Sequence, residues 1–311
     1  MAETSVHGAV QRKSSSGDRP PPPSSPRDLI SALPHDVIHH IFLFLPLEDL
    51  VMTSVLSERW RFTWTATTDL VFNGEIEFRP GSTLDFPSLV DSVLTQCTSV
   101  LTQCTSPAVK RFHVTGFNYD DAANPKVDLW LRFVAQHHVE DLCLRVQSMR
   151  HFYKLPVFLC CSSWLVRLEV RLCYFSLNVA LWWPCLKASL IEFAELSDDL
   201  LRSVLRGSPV LESLELYHSE GVEKIRAPHL LSLRVSRRLN GNHVLRLDDV
   251  SSSVEADLNL DILTGDRRMC CDLLKELLGK LRRVPIISIH GWCLEVQDMF
   301  NNFTIYKTCL C

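Results

Sequence analysis

The sequence predicts an α/β protein: an N-terminal unit of three short helices, followed by an irregular repeat solenoid whose parallel strands lie on its concave side. Two observations support this prediction. Residues 28–68 contain short apolar segments bounded by residues typical of helix starts and ends. From residue 110 onward, pairs of apolar residues separated by one position return at intervals of 19 to 30 residues, with helix-like stretches between them.

Residues 1–27 are expected to form a disordered tail. The stretch is rich in serine and contains four consecutive prolines at residues 20–23. Such a composition cannot bury enough apolar surface to offset the entropy that is lost on folding. It also lacks the apolar segment of a signal peptide, so we do not interpret it as an export signal.

The first predicted helix begins near Pro34 and ends before Pro46. Proline suits the first turn because it lacks the N–H that would be unpaired there, and the carboxylate of Asp36 suits the positive end of the helix. A later proline cannot continue the helix. Between the two prolines, apolar residues recur every four positions and give one broad stripe: Val37, Ile41 and Leu45.

Two further short helices are predicted before residue 68. The second carries Leu50 and Val55, and Ser57 can cap the third, on which Trp60 and Trp64 share one face. Three helices in under 40 residues cannot bury this much apolar side chain among themselves. The surplus either packs on a larger core or forms a surface for a partner.

The same segment resembles an F-box. The matching residues are Leu33-Pro34, Val37-Ile38, Ile41, Leu45-Pro46, Asp49 and the string Ser54-Val55-Leu56-Ser57-x-Arg59-Trp60-Arg61 with Trp64. The resemblance is closest to the plant F-box proteins that carry leucine-rich repeats, of the FBD-like kind. It covers about an eighth of the chain with high specificity, and the rest resembles that family more loosely.

The resemblance implies a docking role. F-box segments bind a Skp-type adaptor, which joins them to a cullin as the substrate receptor of an SCF-type ubiquitin ligase. The chain would then be a non-catalytic receptor subunit that binds a target protein through its repeats. By matching positions, the adaptor-binding or F-box core residues are Leu33, Pro34, Ile38, Ile41, Leu45, Val55 and Trp60. The alternative is a leucine-rich-repeat interaction scaffold that joins no ligase.

Residues 93–106 are a tandem duplication. The seven residues VLTQCTS at 93–99 are repeated without change at 100–106. Seven residues make nearly two helical turns, so a second copy can keep the apolar face of the first. We therefore expect a helix through the first copy that either lengthens or frays in the second.

Residues 69–311 are predicted to form a leucine-rich-repeat domain. The intervals between its apolar pairs bracket the length of such repeats, each of which gives one parallel strand and a returning helix or loop. Predicted helices include residues 197–207, which begin with Ser197 and an acidic turn, and residues 269–281. An ordinary α/β domain with leucine-rich strands is the alternative. The pairs are Phe112-x-Val114, Leu142-x-Leu144, Leu168-x-Val170, Ile191-x-Phe193, Leu214-x-Leu216, Leu233-x-Val235, Leu258-x-Leu260 and Ile287-x-Ile289.

The middle residue of each pair is predicted to lie on the concave side, because side chains alternate along a strand. These residues are His113, Cys143, Glu169, Glu192, Glu215, Arg234, Asn259 and Ser288. The predicted target-binding residues among them are Glu169, Glu192, Glu215 and Arg234. The three glutamates should lie side by side, and basic residues at 224–246 should reverse the charge beyond them. A solvated sheet face with incidental charge is the alternative.

Composition argues against several other classes of protein. A net charge of −4 and a pI near 6.3 give no overall attraction for nucleic acid, and no apolar run is long enough to span a membrane. The twelve cysteines form no C-x-x-C pair, so we expect reduced thiols in the cytoplasm or nucleus and no zinc site.

Motifs for catalysis and cofactor binding are also missing from the sequence. It contains no phosphate-binding loop, dinucleotide-binding motif, nucleophile elbow or zinc-protease motif, so neither a cofactor nor a catalytic residue is expected.

Residues 301–311 are too short for another repeat. We therefore expect a partly uncapped end, as in a C-terminally shortened member of the family.

Overall fold

A computed structural model shows a mixed α/β fold with a parallel sheet. It describes residues 33–42, 44–45, 47–53, 60, 67–74, 85–101, 109–176, 179–239, 245–262 and 267–290. The predicted tail, the predicted third helix apart from Trp60, the site residue Val55 and the C-terminal end after residue 290 lie outside the described residues.

After the first two, the described helices are separated along the chain by single strands or by groups of up to five strands. They are α1 (His35–Phe42), α2 (Leu47–Met52), α3 (Phe86–Leu101), α4 (Asn124–Gln136), α5 (Val157–Cys160), α6 (Asp198–Gly207) and α7 (Arg267–Leu281). None of these helices combines the length and the apolar character needed to cross a membrane.

The described strands pair in parallel throughout. They are β1 (Asp69–Asn73), β2 (Arg111–Asn118), β3 (Asp141–Gln147), β4 (Tyr153–Lys154), β5 (Arg167–Arg171), β6 (Cys173–Tyr174), β7 (Ala188–Glu192), β8 (Ser213–Tyr217), β9 (Lys224–Arg226), β10 (Ser232–Leu239), β11 (Arg246–Asp249), β12 (Glu255–Ile262) and β13 (Ile286–Ile289). Nine of them form the main sheet in the order β1-β2-β3-β5-β7-β8-β10-β12-β13, while β4 pairs with β6 and β9 with β11.

One face of the main sheet is buried and the other is open. In β8, Leu214 and Leu216 are buried, whereas Ser213, Glu215 and Tyr217 are half-buried. The buried face packs on the helical layer; for example, the rings of Phe112 and Phe133 in α4 lie 6.3 Å apart. We call the other side the open face. The mixed α/β class and the parallel sheet were thus correctly predicted, while the repeat solenoid stays a prediction.

Two predicted strand pairs are shifted by two residues. In β7 the inward residues are Ser189 and Ile191, because Ser189 lies level with Leu168 and Leu214. In β12, Ala256 takes the same position beside Leu233. A small residue at a position where the other strands carry leucine or phenylalanine hid the true start of each pair.

Helix α6 forms as predicted. The Ser197 side chain accepts a hydrogen bond from the backbone N–H of Leu200 at 3.2 Å and caps the helix. The helix ends at Gly207, where a Cβ atom would come within 2.2 Å of the Leu181 carbonyl oxygen. Glycine is therefore needed there for the close approach of two backbones. The buried face of the helix consists of Leu200, Leu201, Val204 and Leu205.

Helix α3 runs through the first copy of the duplicated segment and ends at Leu101, the second residue of the second copy. Along this helix Val90 and Val93 are almost inaccessible, and Phe86 and Leu89 are partly buried. Residues 102–108 lie outside the described part.

The N-terminal unit packs directly on the sheet. Helix α2 contacts β1, and Ile38, Phe42 and Leu50 belong to the same buried cluster as Leu70 of that strand. The rings of Phe42 and Trp60 meet edge to face with centroids 5.5 Å apart. Part of the apolar surface that the three short helices cannot bury among themselves is therefore covered by the sheet of the same chain.

Candidate functional site

We call the exposed apolar residues Pro34, Val37 and Phe44 the N-terminal surface. It begins at the first turn of α1. The carbonyl oxygen of Pro34 accepts hydrogen bonds from the backbone N–H groups of Val37 and Ile38, both at 3.1 Å. Because proline has no N–H, the helix loses no hydrogen bond by starting there. Pro34 and Val37 are both exposed, so this turn presents apolar groups at the surface.

The predicted adaptor-binding residues divide into core and surface. Ile38 and Trp60 are 0% and 4% exposed. They hold the unit against the rest of the chain and are covered in this arrangement. Leu33, Ile41 and Leu45 are partly buried against the same core.

Two exposed apolar side chains were not assigned to the predicted site. Val37 is 42% exposed and Phe44 is 75% exposed. The Phe44 ring meets the ring of His40 edge to face, with centroids 5.2 Å apart. The sequence does carry a signal for them, since the apolar residues of α1 occupy more of its circumference than one packed face can cover. Only the packing shows which of them remain outside.

The open face of the sheet carries three rows of side chains that run across the strands, as the register of neighbouring strands defines them. The first row is Asp69, Arg111, Asp141, Arg167, Ala188, Ser213, Ser232, Glu255 and Ile286. The middle row is Val71, His113, Cys143, Glu169, Leu190, Glu215, Arg234, Asp257 and Ser288. The third row is Asn73, Thr115, Arg145, Arg171, Glu192, Tyr217, Ser236 and Asn259.

These rows correct the predicted line of three glutamates. Glu169 and Glu215 lie in the middle row, but Leu190 stands between them. Glu192 lies on the same face in the third row, level with Arg171 and Tyr217. The shift of β7 described above is the cause, and the same shift in β12 moves Asn259 into the third row.

Two arginines each bridge two carboxylates on this face. Nε of Arg145 lies 3.0 Å from Oε1 of Glu169, and its Nη2 lies 2.8 Å from Oε2 of Glu192. Arg234 bridges Glu215 at 3.3 Å and Glu255 at 3.2 Å. The hydrogen bond with Glu192 is the main cause that raises the pKa of Arg145. The four predicted target-binding residues therefore belong to ion-pair networks in which each arginine is shared by two carboxylates.

A third network lies at the β1–β5 end. Asp141 accepts from Nε of Arg111 at 3.3 Å and contacts Nε2 of His113 at 3.0 Å. Burial raises the pKa of the Asp141 carboxyl, but the hydrogen bonds with His113 and Arg111 and the charges of His113 and Arg167 lower it by more. The net pKa is below its ordinary value, and the carboxylate stays charged.

The predicted reversal of charge at residues 224–246 is wrong for this face. Of the six basic residues, Arg234 and Arg238 lie on the open face. Arg237 points inward, is 8% exposed and donates a hydrogen bond to the Val222 carbonyl. The other three lie on the separate β9–β11 sheet: Lys224, Arg226 and Arg246. The sequence places them close together, but the chain turns between them.

Cys143 is the open-face residue closest in type to a nucleophile. Its thiol is buried, and burial together with the neighbouring Glu169 raises its pKa far above the ordinary value. A thiol held neutral in this way is a poor nucleophile. Within the described part of the chain, no three His, Cys, Asp or Glu side chains are grouped to hold a metal ion.

Comparison with known proteins gives two family matches. A family model described as the F-box domain matches residues 30–67. A second, described as FBD-associated F-box protein At5g56370, LRR repeats, matches residues 127–262. The first range contains the N-terminal surface, and the second contains strands β3 to β12.

Curated relatives are similar over most of the chain. F-box/LRR-repeat protein 25 of Arabidopsis thaliana is 32% identical over 216 residues, which cover 68% of this chain and 77% of that protein. The putative F-box/LRR-repeat protein At3g28410 of the same plant is 28% identical over 307 residues, which cover 88% of this chain and 61% of that protein. The chain spans about three-fifths of the length of this second relative and of several others. No solved structure matches the chain.

Proposed function

Because the chain belongs to the F-box/LRR-repeat family, we propose that it is the substrate-recognition subunit of an SCF-type ubiquitin ligase. In this role the N-terminal unit binds a Skp-type adaptor and through it a cullin, and the repeats bind a target protein. The chain makes and breaks no bond itself. It contributes proximity, because it holds the target near the transferring subunits.

The observation that carries the proposal is the division of apolar side chains in α1 and the turn after it. Ile38 anchors the unit to the core, whereas Val37 and Phe44 remain on the surface beside exposed Pro34. Exposed apolar groups on a rigid element are typical of a protein-binding site. Unlike Ile38, Val37 and Phe44 are not part of the buried core of the described residues.

The proposal is tested by replacing the exposed residues while the buried anchor is kept. We expect the double variant Val37→Ser with Phe44→Ser to lose about tenfold or more in affinity for a purified Skp-type adaptor, since a few apolar anchors dominate such interfaces. Affinity is measured by calorimetry, and circular dichroism checks the fold. Leu129→Ser on α4 is the matched control, because Leu129 is 57% exposed and far along the chain.

The outcome also separates the ligase subunit from the alternative scaffold. A scaffold that joins no ligase would show no adaptor binding in the wild-type chain, and no cullin would copurify with it. Adaptor binding that survives the double variant would instead place the docking surface elsewhere.

The open face supports the second half of the proposal, target binding by Glu169, Glu192, Glu215 and Arg234. Its residues are half-buried and cross-bridged. Such a face is rigid and presents fixed charges, which favours recognition of a partner with a complementary pattern of charge. The cytoplasm and the nucleus are the compartments in which we propose that this recognition takes place.

A further inference from the structure

Three consecutive strands of the open face end in the same unusual turn. Leu172, Phe193 and His218 follow directly after β5, β7 and β8, with φ of 55°, 49° and 49°. Their backbone N–H groups donate to Glu192, Tyr217 and Ser236 at 3.0, 2.9 and 2.6 Å, so the three residues are level with one another. We call Leu172, Phe193 and His218 the turn row.

Two members of the turn row, Leu172 and Phe193, have residue types that rarely adopt this backbone conformation, whereas histidine adopts it more often. A positive φ suits glycine, or asparagine, and is unfavourable for residues with large side chains. Neither occurs at these three positions, although each repeat could accept one without losing a hydrogen bond. An unfavourable conformation that recurs at the rim of a binding face indicates that the side chains are needed there.

Two side chains of the turn row, Phe193 and His218, stack on each other. The rings of Phe193 and His218 are nearly parallel, at 16°, with centroids 4.8 Å apart. On the neighbouring strand, the guanidinium carbon of Arg171 lies 5.3 Å from the centre of the Phe193 ring. Phe193 is therefore enclosed between two neighbours, and exposed His218 is the outermost member.

The outer side of His218 is open. The strand next to it is β10, which continues past Ser236 without a turn, so the level residue is Arg237. Arg237 points inward, to the Val222 carbonyl. At the level of His218, therefore, the side chain of β10 one strand spacing away, about 4.8 Å, does not lie on the open face. That width accommodates one planar ring stacked on the imidazole.

Two like charges lie just beyond the stack. Glu195 and Glu220 each follow two residues after a member of the turn row, and they pair with each other as an isolated parallel bridge. Both are exposed, and within the described residues neither side-chain carboxylate makes a hydrogen bond or an ion pair at 4.0 Å or less. The charge of Glu220 does act on Arg237: it raises the pKa of that guanidinium, while burial lowers the pKa by more. Like charges placed side by side on a sheet repel each other, and a cation between them would relieve the repulsion.

We propose that this stack anchors the target of the chain. The partner is a polypeptide segment in which an aromatic side chain is next to a lysine or arginine. The aromatic ring stacks on the outer face of His218, and the cation lies between Glu195 and Glu220. This inference rests on the proposed target-binding function and places its anchor at the rim of the open face, outside the four residues assigned from the sequence.

The test uses a phage-displayed library of random dodecapeptides, selected on the immobilised full chain. We expect the selected peptides to carry Phe, Tyr or Trp within two residues of Lys or Arg. A synthetic copy of a selected peptide should bind about tenfold more weakly to the double variant Phe193→Asn with His218→Asn. It should also bind more weakly, and with less dependence on salt, to Glu195→Gln with Glu220→Gln.

The variants separate binding from folding. Asparagine tolerates the positive φ, so the thermal midpoint of the double asparagine variant should equal or exceed that of the wild type. Glu276→Gln, an exposed carboxylate on α7, is the control and should leave peptide affinity unchanged.

Selected peptides without the aromatic and basic pair, a selection with no enrichment, or equal affinity for the asparagine variant would each overturn the inference. Adaptor binding is measured on the same samples. If the adaptor binds while the peptide result fails, only this inference is lost. If the peptide result holds without adaptor binding, the ligase proposal is lost and the anchor remains.

Discussion

At the scale of single residues, arginines stabilise the half-buried carboxylates of the open face by forming ion pairs with them. Glu192 is only 13% exposed at its side chain and has both Arg145 and Arg171 within 4.0 Å. A half-buried carboxylate without a partner is strongly disfavoured, because it loses hydration and gains nothing in return. The guanidinium of Arg145 satisfies Glu169 and Glu192 together, and so it links three neighbouring strands.

Removing Arg145 should therefore destabilise the fold more than removing a more exposed arginine. We expect Arg145→Leu to reduce the free energy of unfolding by about 1–3 kcal/mol, since Glu169 loses its arginine and Glu192 keeps only the longer contact with Arg171. Arg167→Leu is the control, because its side chain is 62% exposed and its contact with Asp141 is 3.9 Å long; its effect should stay below about 1 kcal/mol. Urea denaturation of both variants measures the difference, and equal midpoints would mean that the bridge is dispensable.

At the scale of elements, alternation of apolar residues was enough to predict most strands but not their register. Phe112, Leu142, Leu168 and Leu214 occupy the inward positions that were predicted for them. The prediction slipped where Ser189 took such a position, because a small polar residue carries no apolar signal and the neighbouring pair was chosen instead. The position of Ser189 also decides the row in which Glu192 lies. The basic residues at 224–246 are divided between two sheets because the chain turns between their strands.

The candidate site was harder to predict than the fold, for a related reason. A stripe of apolar residues on α1 shows that the helix packs, but the choice of Ile38 as anchor and of Val37 as surface depends on where β1 lies. The turn row depends on backbone angles at Phe193 and His218, which no local pattern in the sequence indicates. Both require the tertiary arrangement.

Helix α6 offers a direct test of an element that was predicted correctly. Ser197→Ala removes the side-chain oxygen that accepts from the Leu200 N–H, and we expect a loss of about 1 kcal/mol in the free energy of unfolding. Ser203→Ala on the same helix is the matched control, because Ser203 is exposed and bonds only to the Asp199 carbonyl. That change should be neutral or slightly stabilising. If both variants unfold at the same denaturant concentration, Ser197 does not act as the cap.

At the scale of the whole molecule, the described apolar side chains form one buried cluster that crosses the boundary predicted at residue 68. Ile38 and Trp60 belong to it together with Leu70, Phe112 and residues as far along as Val284. The N-terminal unit and the sheet therefore share a core. A shared core fixes the position of the N-terminal surface relative to the open face, which a receptor needs if it is to present a target at a constant distance from the ligase.

This shared core leads to a prediction about truncation. A chain of residues 69–311 loses the cover that α2 gives to β1, and β1 is the first strand of the main sheet, so its apolar residues become exposed to water. We expect the shortened chain to unfold at a lower urea concentration than the full chain and to lose hydrogen-exchange protection first in β1 and β2. Removal of residues 1–27 is the control, because the tail is predicted to add no core. If the chain of residues 69–311 kept the stability and the β1 protection of the full chain, the N-terminal unit would be an independent domain that does not contribute to the core of the sheet.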